Sequence, residues 1–309
     1  MTEDEKRAAQ DLNEVLAANF LAVSVTVRSY SGKVTDNEVS DEVIHNKGAA
    51  RKSGKFTKNL FVGADAELKE VATLGNAVRS LVYSRTAPLS SNSEGAQRGD
   101  RMVNAAKSLE LLREIKGPVQ DHYNAVQRFK AVFPQRMQEG MSNLNGMGKA
   151  SDYPDISTLD SLFSIQIDMV PMPKISDFSR VNIPSALAEG LGQRYANQEK
   201  ARVDNALADL KARLLKELQR MATMLGKAGA GEKTKLFDSL VTNLQDLVAL
   251  TRSMNVYQNP ELNALADKIE KQLLQSPVEA YRVSPAKAAE VSAAAQGLAA
   301  DAMLDAIWR

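Results

Sequence analysis

Cysteine is absent from this 309-residue chain, and histidine occurs only at His45 and His122. The first absence excludes disulfides, thiolate zinc sites and a cysteine nucleophile. The second leaves too few imidazoles for a three-histidine metal centre in one chain, and any serine–histidine chemistry would have to use one of these two. Proline (10) and glycine (17) are scarce and aromatic residues make up only 5%. Ala, Leu, Lys, Glu, Gln and Arg, the strong helix formers, are abundant instead. No apolar run approaches the ~18 residues of a membrane-spanning helix. Neither sign of charge dominates: 39 basic and 38 acidic residues give a formal net charge of +1. Whole-protein attraction to nucleic acid or to an anionic membrane is therefore not expected. The opening MTEDEKRAAQDLNE is acidic where a secretory leader is basic and then apolar, so the expectation is a cytoplasmic protein without membrane partners.

What is there is mostly helical spacing. Leu12, Val15, Leu16 and Phe20 share one face, and helices are predicted over about 64–83, 101–116 and from Pro118 onward, with Pro134 kinking or ending the last. A short acidic helix over 35–45 would use Thr35 as N-cap, with Glu38 three places on. Two segments break the pattern with period two: Val23, Val25 and Val27 alternate with Ser24, Thr26 and Arg28, and Phe163, Ile165, Ile167 and Met169 alternate with Ser164, Gln166 and Asp168. These predict two strands that pair with each other and pack on helices, because an isolated hairpin is marginal in water.

The C-terminal part carries the clearest stripe. Val203, Leu207, Leu210, Leu214, Leu218, Met221 and Leu225 are spaced 4, 3, 4, 4, 3 and 4. That is an eleven-residue repeat of ~3.67 residues per turn, which favours a nearly straight stripe over a left-handed coil. GKAGAGEK (226–233) then turns the chain, and Leu236, Leu240, Leu244, Leu247 and Met254 return it as an antiparallel hairpin. The stripe reads either as hairpin core or as a self-association seam through Leu207, Leu210, Leu214, Leu218, Met221 and Leu225.

Chemistry is less visible. GKAGAGEKT (226–234) resembles a phosphate-binding loop, but a Glu precedes the Lys and the segment follows a helix where a strand is required. Gly146-Met-Gly148-Lys149-Ala150 lacks the upstream glycine and the hydroxyl. Asp152, Asp155, Asp160 and Asp168 fit no EF-hand spacing, and Asp152 and Asp155 suit turn capping around Pro154; no metal site or cofactor is expected. Neither histidine has a nucleophile–base set around it that the sequence can identify. The basic segment stands out most: Lys47, Arg51, Lys52, Lys55 and Lys58 with interleaved Phe56 and Phe61, and no acid between Val43 and Ala64. Cations that neutralise phosphates beside aromatics that stack bases are how single strands are gripped without sequence readout. The other reading is a solvated loop folded back on Asp36, Glu38, Asp41 and Glu42.

Several stretches together carry a likeness: LAVSVTVRSYSG (21–32), ARKSGKFTKNL (50–60), SLVYSRTAP (80–88), SDYPD (151–155), VPMP (170–173) and Ser176-Asp177-Phe178. Their order, over roughly residues 10–225, resembles an uncharacterised family of helical proteins from bacteriophages and bacterial mobile elements. Its members often lie beside genes for MoxR- or cobaltochelatase-like AAA+ ATPases. The resemblance implies a phage origin, the host cytoplasm as location and an ATPase partner, and it carries no catalytic residues. Read physically, the same motifs look structural: Tyr83 and Thr86 close a helix, and Asp177 holds a turn that Phe178 anchors.

The expected fold is mainly α: a helical bundle with a small two-stranded antiparallel sheet and a long C-terminal antiparallel helical hairpin, divided into a mixed domain over 1–175 and helices over 176–309. The expected function is a non-enzymatic structural or adaptor protein acting through helix packing, homo-oligomerisation and an ATPase partner. The alternative is a nucleic-acid-binding accessory protein using residues 47–58.

Overall fold

The computed structural model describes residues 3–50, 52–89 and 100–308. In chain order its elements are helix α1 (Glu3–Asn19), strands β1 (Phe20–Arg28) and β2 (Lys33–Asp36), helix α2 (Asn37–Asn46), strand β3 (Phe56–Asn59), helix α3 (Ala66–Ser84), strands β4 (Ala87–Pro88) and β5 (Arg101–Asn104), helix α4 (Ala105–Asn143), strand β6 (Ser164–Pro171), and helices α5 (Ser185–Gly229), α6 (Ser239–Ser253), α7 (Pro260–Leu273), α8 (Val278–Val283) and α9 (Pro285–Ala302). The protein is mainly α, as the composition predicts, with a helical C-terminal region and a small two-stranded antiparallel sheet of β2 and β3. Among the described residues no helix is long and apolar enough to cross a membrane.

The chain forms two compact units. The larger comprises Met1–Ser24, Val82–Leu111 and Asp168–Arg309; the smaller comprises Val25–Leu81 and Leu112–Ile167. This differs from the single division at 175 expected from the sequence. The chain passes from one unit to the other inside β1, α3, α4 and β6, where no loop or composition shift marks the boundary.

In the larger unit the core is aliphatic and α5 is its axis. The stripe from Val203 to Leu225 is buried, together with Leu240, Leu244 and Leu247 of α6, Leu265 and Ile269 of α7, and Val291, Ala295 and Leu298 of α9. The return helix α6 packs on α5, and α9 runs antiparallel along it: Ser292 Oγ donates to Ala222 O (2.7 Å) and Lys211 Nζ to Met303 O (3.0 Å). Small residues permit this closeness. A Cβ at Gly229 would stand 2.8–2.9 Å from Ala289, including its backbone. The glycines that imitated a phosphate loop therefore serve helix contact, and Gly231 (φ +78°) makes the turn beyond.

β1 and β6, the strands read from alternation, are neighbours, but within a four-stranded sheet of order β4-β5-β1-β6. In the larger unit β1 runs antiparallel to β5, from Phe20 opposite Asn104 to Val23 opposite Arg101.

The smaller unit is built on rings. Phe61 lies 5.5 Å from Tyr153, 5.6 Å from Phe129, 5.9 Å from Phe133 and 6.1 Å from Tyr30, mostly edge to face, the arrangement that ring quadrupoles favour. The antiparallel pair β2–β3, with Lys33 opposite Asn59 and Asp36 opposite Phe56, places Phe61 just beyond its end. Two glycines make room. At Gly32 (φ +64°) a Cβ would meet Phe61 and Leu68 at 2.8 Å, and at Gly140 of α4 it would lie 2.0 Å from Leu60 O.

Three local expectations are corrected. Asp36, not Thr35, caps α2 through a bond from Val39 N (3.1 Å), because Thr35 is taken into β2 opposite Thr57. Residues 56–59, read as loop, form β3. Helix α4 continues through both Pro118 and Pro134. Pro134 is exposed and Pro118 only half-buried, so water can serve the carbonyls that each ring leaves without an N–H donor.

Candidate functional site

The fold divides the basic segment between core and surface. Lys58, on β3, is buried: its Nζ bonds Asp152 (2.7 Å), Asp36 (3.0 Å) and Met147 O (3.1 Å). Asp152 first, then Asp36, raises the ammonium pKa, while Lys58 holds the Asp152 carboxyl below its usual range. Asp36 is lowered too, by its Val39 amide before Lys58. Lys58 is thus removed from any binding surface. Phe61 is removed as well, being the centre of the aromatic core. Lys47, Lys52 and Lys55 are exposed, and Phe56 is 37% exposed at the start of β3, where its amide donates to Ser40 Oγ (2.8 Å). Arg51 lies outside the described residues. Glu38, Asp41 and Glu42 stand exposed on α2, and Glu38 pairs with Lys149 (3.1 Å).

The proposed self-association stripe is also reassigned. Leu207 is 5% exposed, and Leu210, Leu214, Leu218, Met221 and Leu225 are at most 1% exposed. The apolar surface of Leu210, Leu214, Leu218, Met221 and Leu225 is already covered within the chain, where α6 and α9 pack on α5, so these five cannot form a seam between copies of the folded chain.

An apolar groove does open beside the stripe's first turns. Leu207 and Ala208 of α5, Tyr257 and Trp308 line it, Lys200, Asp204 and Lys211 rim it, and its volume is about 570 Å³. The Trp308 indole donates to Ala302 O (3.0 Å), fixing the C-terminal turn as one wall. Tyr257 Oη reaches Asp204 Oδ1 at 3.5 Å; burial, then Asp204, pushes its pKa up to about 12. Tyr257, Met303 and Leu304 are 41%, 53% and 58% exposed. Sequence reading missed this place. Its signal was the one tryptophan of the chain, at the end of an alanine-rich helix whose own face could not account for it.

Several other polar groups serve the fold. Arg101 and Arg213 both donate to Tyr83 O and Thr86 O at the end of α3, and Arg213 also to Ser84 O (3.1 Å). Two cations thereby satisfy a helix C-terminus. Burial, with Arg213 adding, brings the Arg101 pKa down to about 10. Thr86 Oγ1 donates to Val82 O (2.6 Å), closing α3 as its motif suggested. His45 is exposed, whereas His122 is fully buried with neither nitrogen hydrogen-bonded, and burial lowers its pKa. Asp155 caps Ser157 (2.8 Å), and Asp160 pairs with Lys130. Asp177 accepts from Lys174 N (2.9 Å), and Phe178 packs on Tyr195 with centroids 5.6 Å apart. Among the described residues no three His, Asp or Glu side chains converge as a metal site would require.

Comparison with known proteins adds nothing to this geometry: no family model, no curated protein and no solved structure matches the chain.

Proposed function

We propose that the chain is a non-enzymatic adaptor of bacteriophage type, acting in the host cytoplasm through self-association and engagement of a AAA+ ATPase. The observation that carries self-association is the groove of Leu207, Ala208, Tyr257 and Trp308, with Met303 and Leu304 exposed beside it. Its occupant in this reading is a second copy of the chain. The rim holds both signs, Lys200 and Lys211 against Asp204, so a two-fold operation can set one lysine of each copy opposite the other copy's Asp204. The ATPase partner rests on the family resemblance alone. The test is size-exclusion chromatography with light scattering. A defined multimer that Met303→Glu with Leu304→Glu turns into a helical monomer supports the reading; a wild-type monomer at tens of micromolar sinks self-association.

A second reading, nucleic-acid binding by the smaller unit, is favoured by Lys47, Lys52 and Lys55 standing exposed with Phe56. Its mark is a high 260/280 nm absorbance ratio on purification without nuclease that collapses with salt.

A further inference from the structure

On α5, Tyr195 and Glu199 continue the spacing of Val203 and Leu207 toward the N-terminus, so a carboxyl occupies a position of the apolar stripe. Glu199 is fully buried. Its Oε2 accepts from Asn13 Nδ2 (2.8 Å), while its Oε1 and the neighbouring Tyr195 Oη are shut off from solvent with no hydrogen bond of good geometry.

Asn13, itself buried on α1, ties three elements together. Its amide nitrogen also donates to Pro173 O (3.1 Å), and its oxygen accepts from Ile175 N (2.8 Å). The 3-10 turn Ile175–Arg180 is thereby held against α5, with Ile175 beside Gly192 and Phe178 against the Tyr195 ring.

The charged surroundings are sparse. On α5 the only charged group acting on the carboxyl is Arg202, whose guanidinium lies 5.3 Å from the Tyr195 ring centre. Among the described side chains of α1 only the neutral Asn13 reaches it, Asp11 and Glu14 being exposed. On the turn, Asp177 is bonded to Lys174 N and Arg180.

We infer that Glu199 is a proton-operated latch: protonated, it keeps the Ile175–Arg180 turn clasped to α5 through Asn13, and ionised, it releases the turn while Leu16 and Phe20 hold α1 in place. The physical ground is that a fully buried carboxylate is costly to desolvate, and that Asn13, the Tyr195 hydroxyl and the Arg202 charge compensate it only in part. A neutral carboxyl can instead offer its proton to Tyr195 Oη. Burial, the dominant effect, accordingly raises the Glu199 pKa. The sign follows: closure is fully present below the ordinary carboxyl range and is lost as pH rises through the raised value. Release uncovers Tyr195, Ala196 and Gly192 on α5.

The test is amide hydrogen exchange of the full chain between pH 5 and 8, corrected for intrinsic rates, read at the Ile175 amide. Protection should fall by about tenfold per pH unit between the open-state and closed-state midpoints, and Glu199→Gln should flatten the slope. Protection that is independent of pH in the wild type, or an equal slope in Glu199→Gln, overturns the latch. Should the variant fold poorly, a carbon-13 titration of the wild-type Glu199 carboxyl decides. A midpoint above the ordinary value of about 4.3 supports it, and one at or below that value refutes it.

Discussion

The two units solve the same burial problem with different side chains. The larger one packs leucine and alanine along helices, its centre the α5 stripe against α6 and α9. The smaller one, with little more than a third of the residues, places Phe61, Phe129, Phe133, Tyr153 and Phe163 around one point. In a chain only 5% aromatic, that concentration is a division of labour. A long helix pair can bury area with many small contacts, whereas a unit assembled from two chain segments and a short β2–β3 pair needs large rings to reach a sufficient core. The difference teaches where each unit is vulnerable: the smaller to loss of a single ring, the larger to anything that separates two helix backbones.

The sharpest way to break this comparison is Phe61→Ala. Removing the ring at the centre of the aromatic cluster should cost about 3–5 kcal/mol and strip exchange protection from residues 56–81 and 122–163. The one tryptophan, Trp308, belongs to the larger unit and gives an independent readout. Its fluorescence transition should stay where it is in the wild type; a transition that shifts by the same amount means that the two units unfold as one.

The corresponding probe of the larger unit is Gly229→Ala. Alanine is the better helix former by about 1 kcal/mol, but its Cβ would stand 2.8–2.9 Å from Ala289. Overpacking of about 1–3 kcal/mol should outweigh the propensity gain. Thermal unfolding followed by Trp308 should move down; an upward shift would mean that α9 yields without cost and that closeness is not what holds the two helices.

The units should also answer pH in opposite directions. In the smaller unit, His122 is buried without a partner and its pKa is depressed. Stability is therefore complete above the ordinary histidine value of about 6.5 and declines as pH falls below it, because only the unfolded chain takes up the proton readily. The lowered Asp36 and Asp152 carboxyls add a second loss at more acid pH, below their ordinary values. His122→Leu should flatten the first decline while leaving stability at pH 7 unchanged or improved, since no hydrogen bond is lost. Urea midpoints at pH 7 and pH 5 check this; an unaltered acid slope would show that His122 is not its source. In the larger unit the Glu199 clasp should tighten over the same interval.

How much of this was legible follows from where the signal is local. β1 and β6 announce themselves because β-branched and aromatic residues alternate over eight or nine positions, and the α5 stripe because leucines recur at helical steps for six turns. β2 and β3 are four residues each, KVTD and FTKN, and their only strong reason to be strands is each other, across about twenty residues. Lys58 looked like a ligand for phosphate because its cationic neighbours are adjacent in sequence, while Asp152, which consumes its charge, is 94 residues away. The stripe was ambiguous for the same reason: spacing shows that a face is apolar, not which helix covers it. Trp308 and Glu199 were readable only as exceptions, one bulky ring after an alanine run and one carboxylate on a leucine face.

The smallest expected effect on stability tests what remains of the basic segment. Lys52 and Lys55 are exposed in the connection between α2 and β3, and among the described residues neither has an ion-pair partner that the fold would lose. Lys52→Glu with Lys55→Glu should therefore leave the melting temperature and the exchange pattern of both units unchanged, as substitutions away from buried features generally do. The same pair separates the two functional readings. If Lys47, Lys52, Lys55 and Phe56 bind single strands, reversing two charges should abolish retention on single-stranded oligonucleotide at low salt, and the wild type should show an affinity that falls steeply with salt. Unchanged retention with unchanged stability would leave these lysines as a solvated loop beside the acids of α2. A stability loss would mean instead that the loop is structural and that its cations answer Glu38, Asp41 and Glu42, which would make the smaller unit's charged edge as much a part of its fold as its ring cluster.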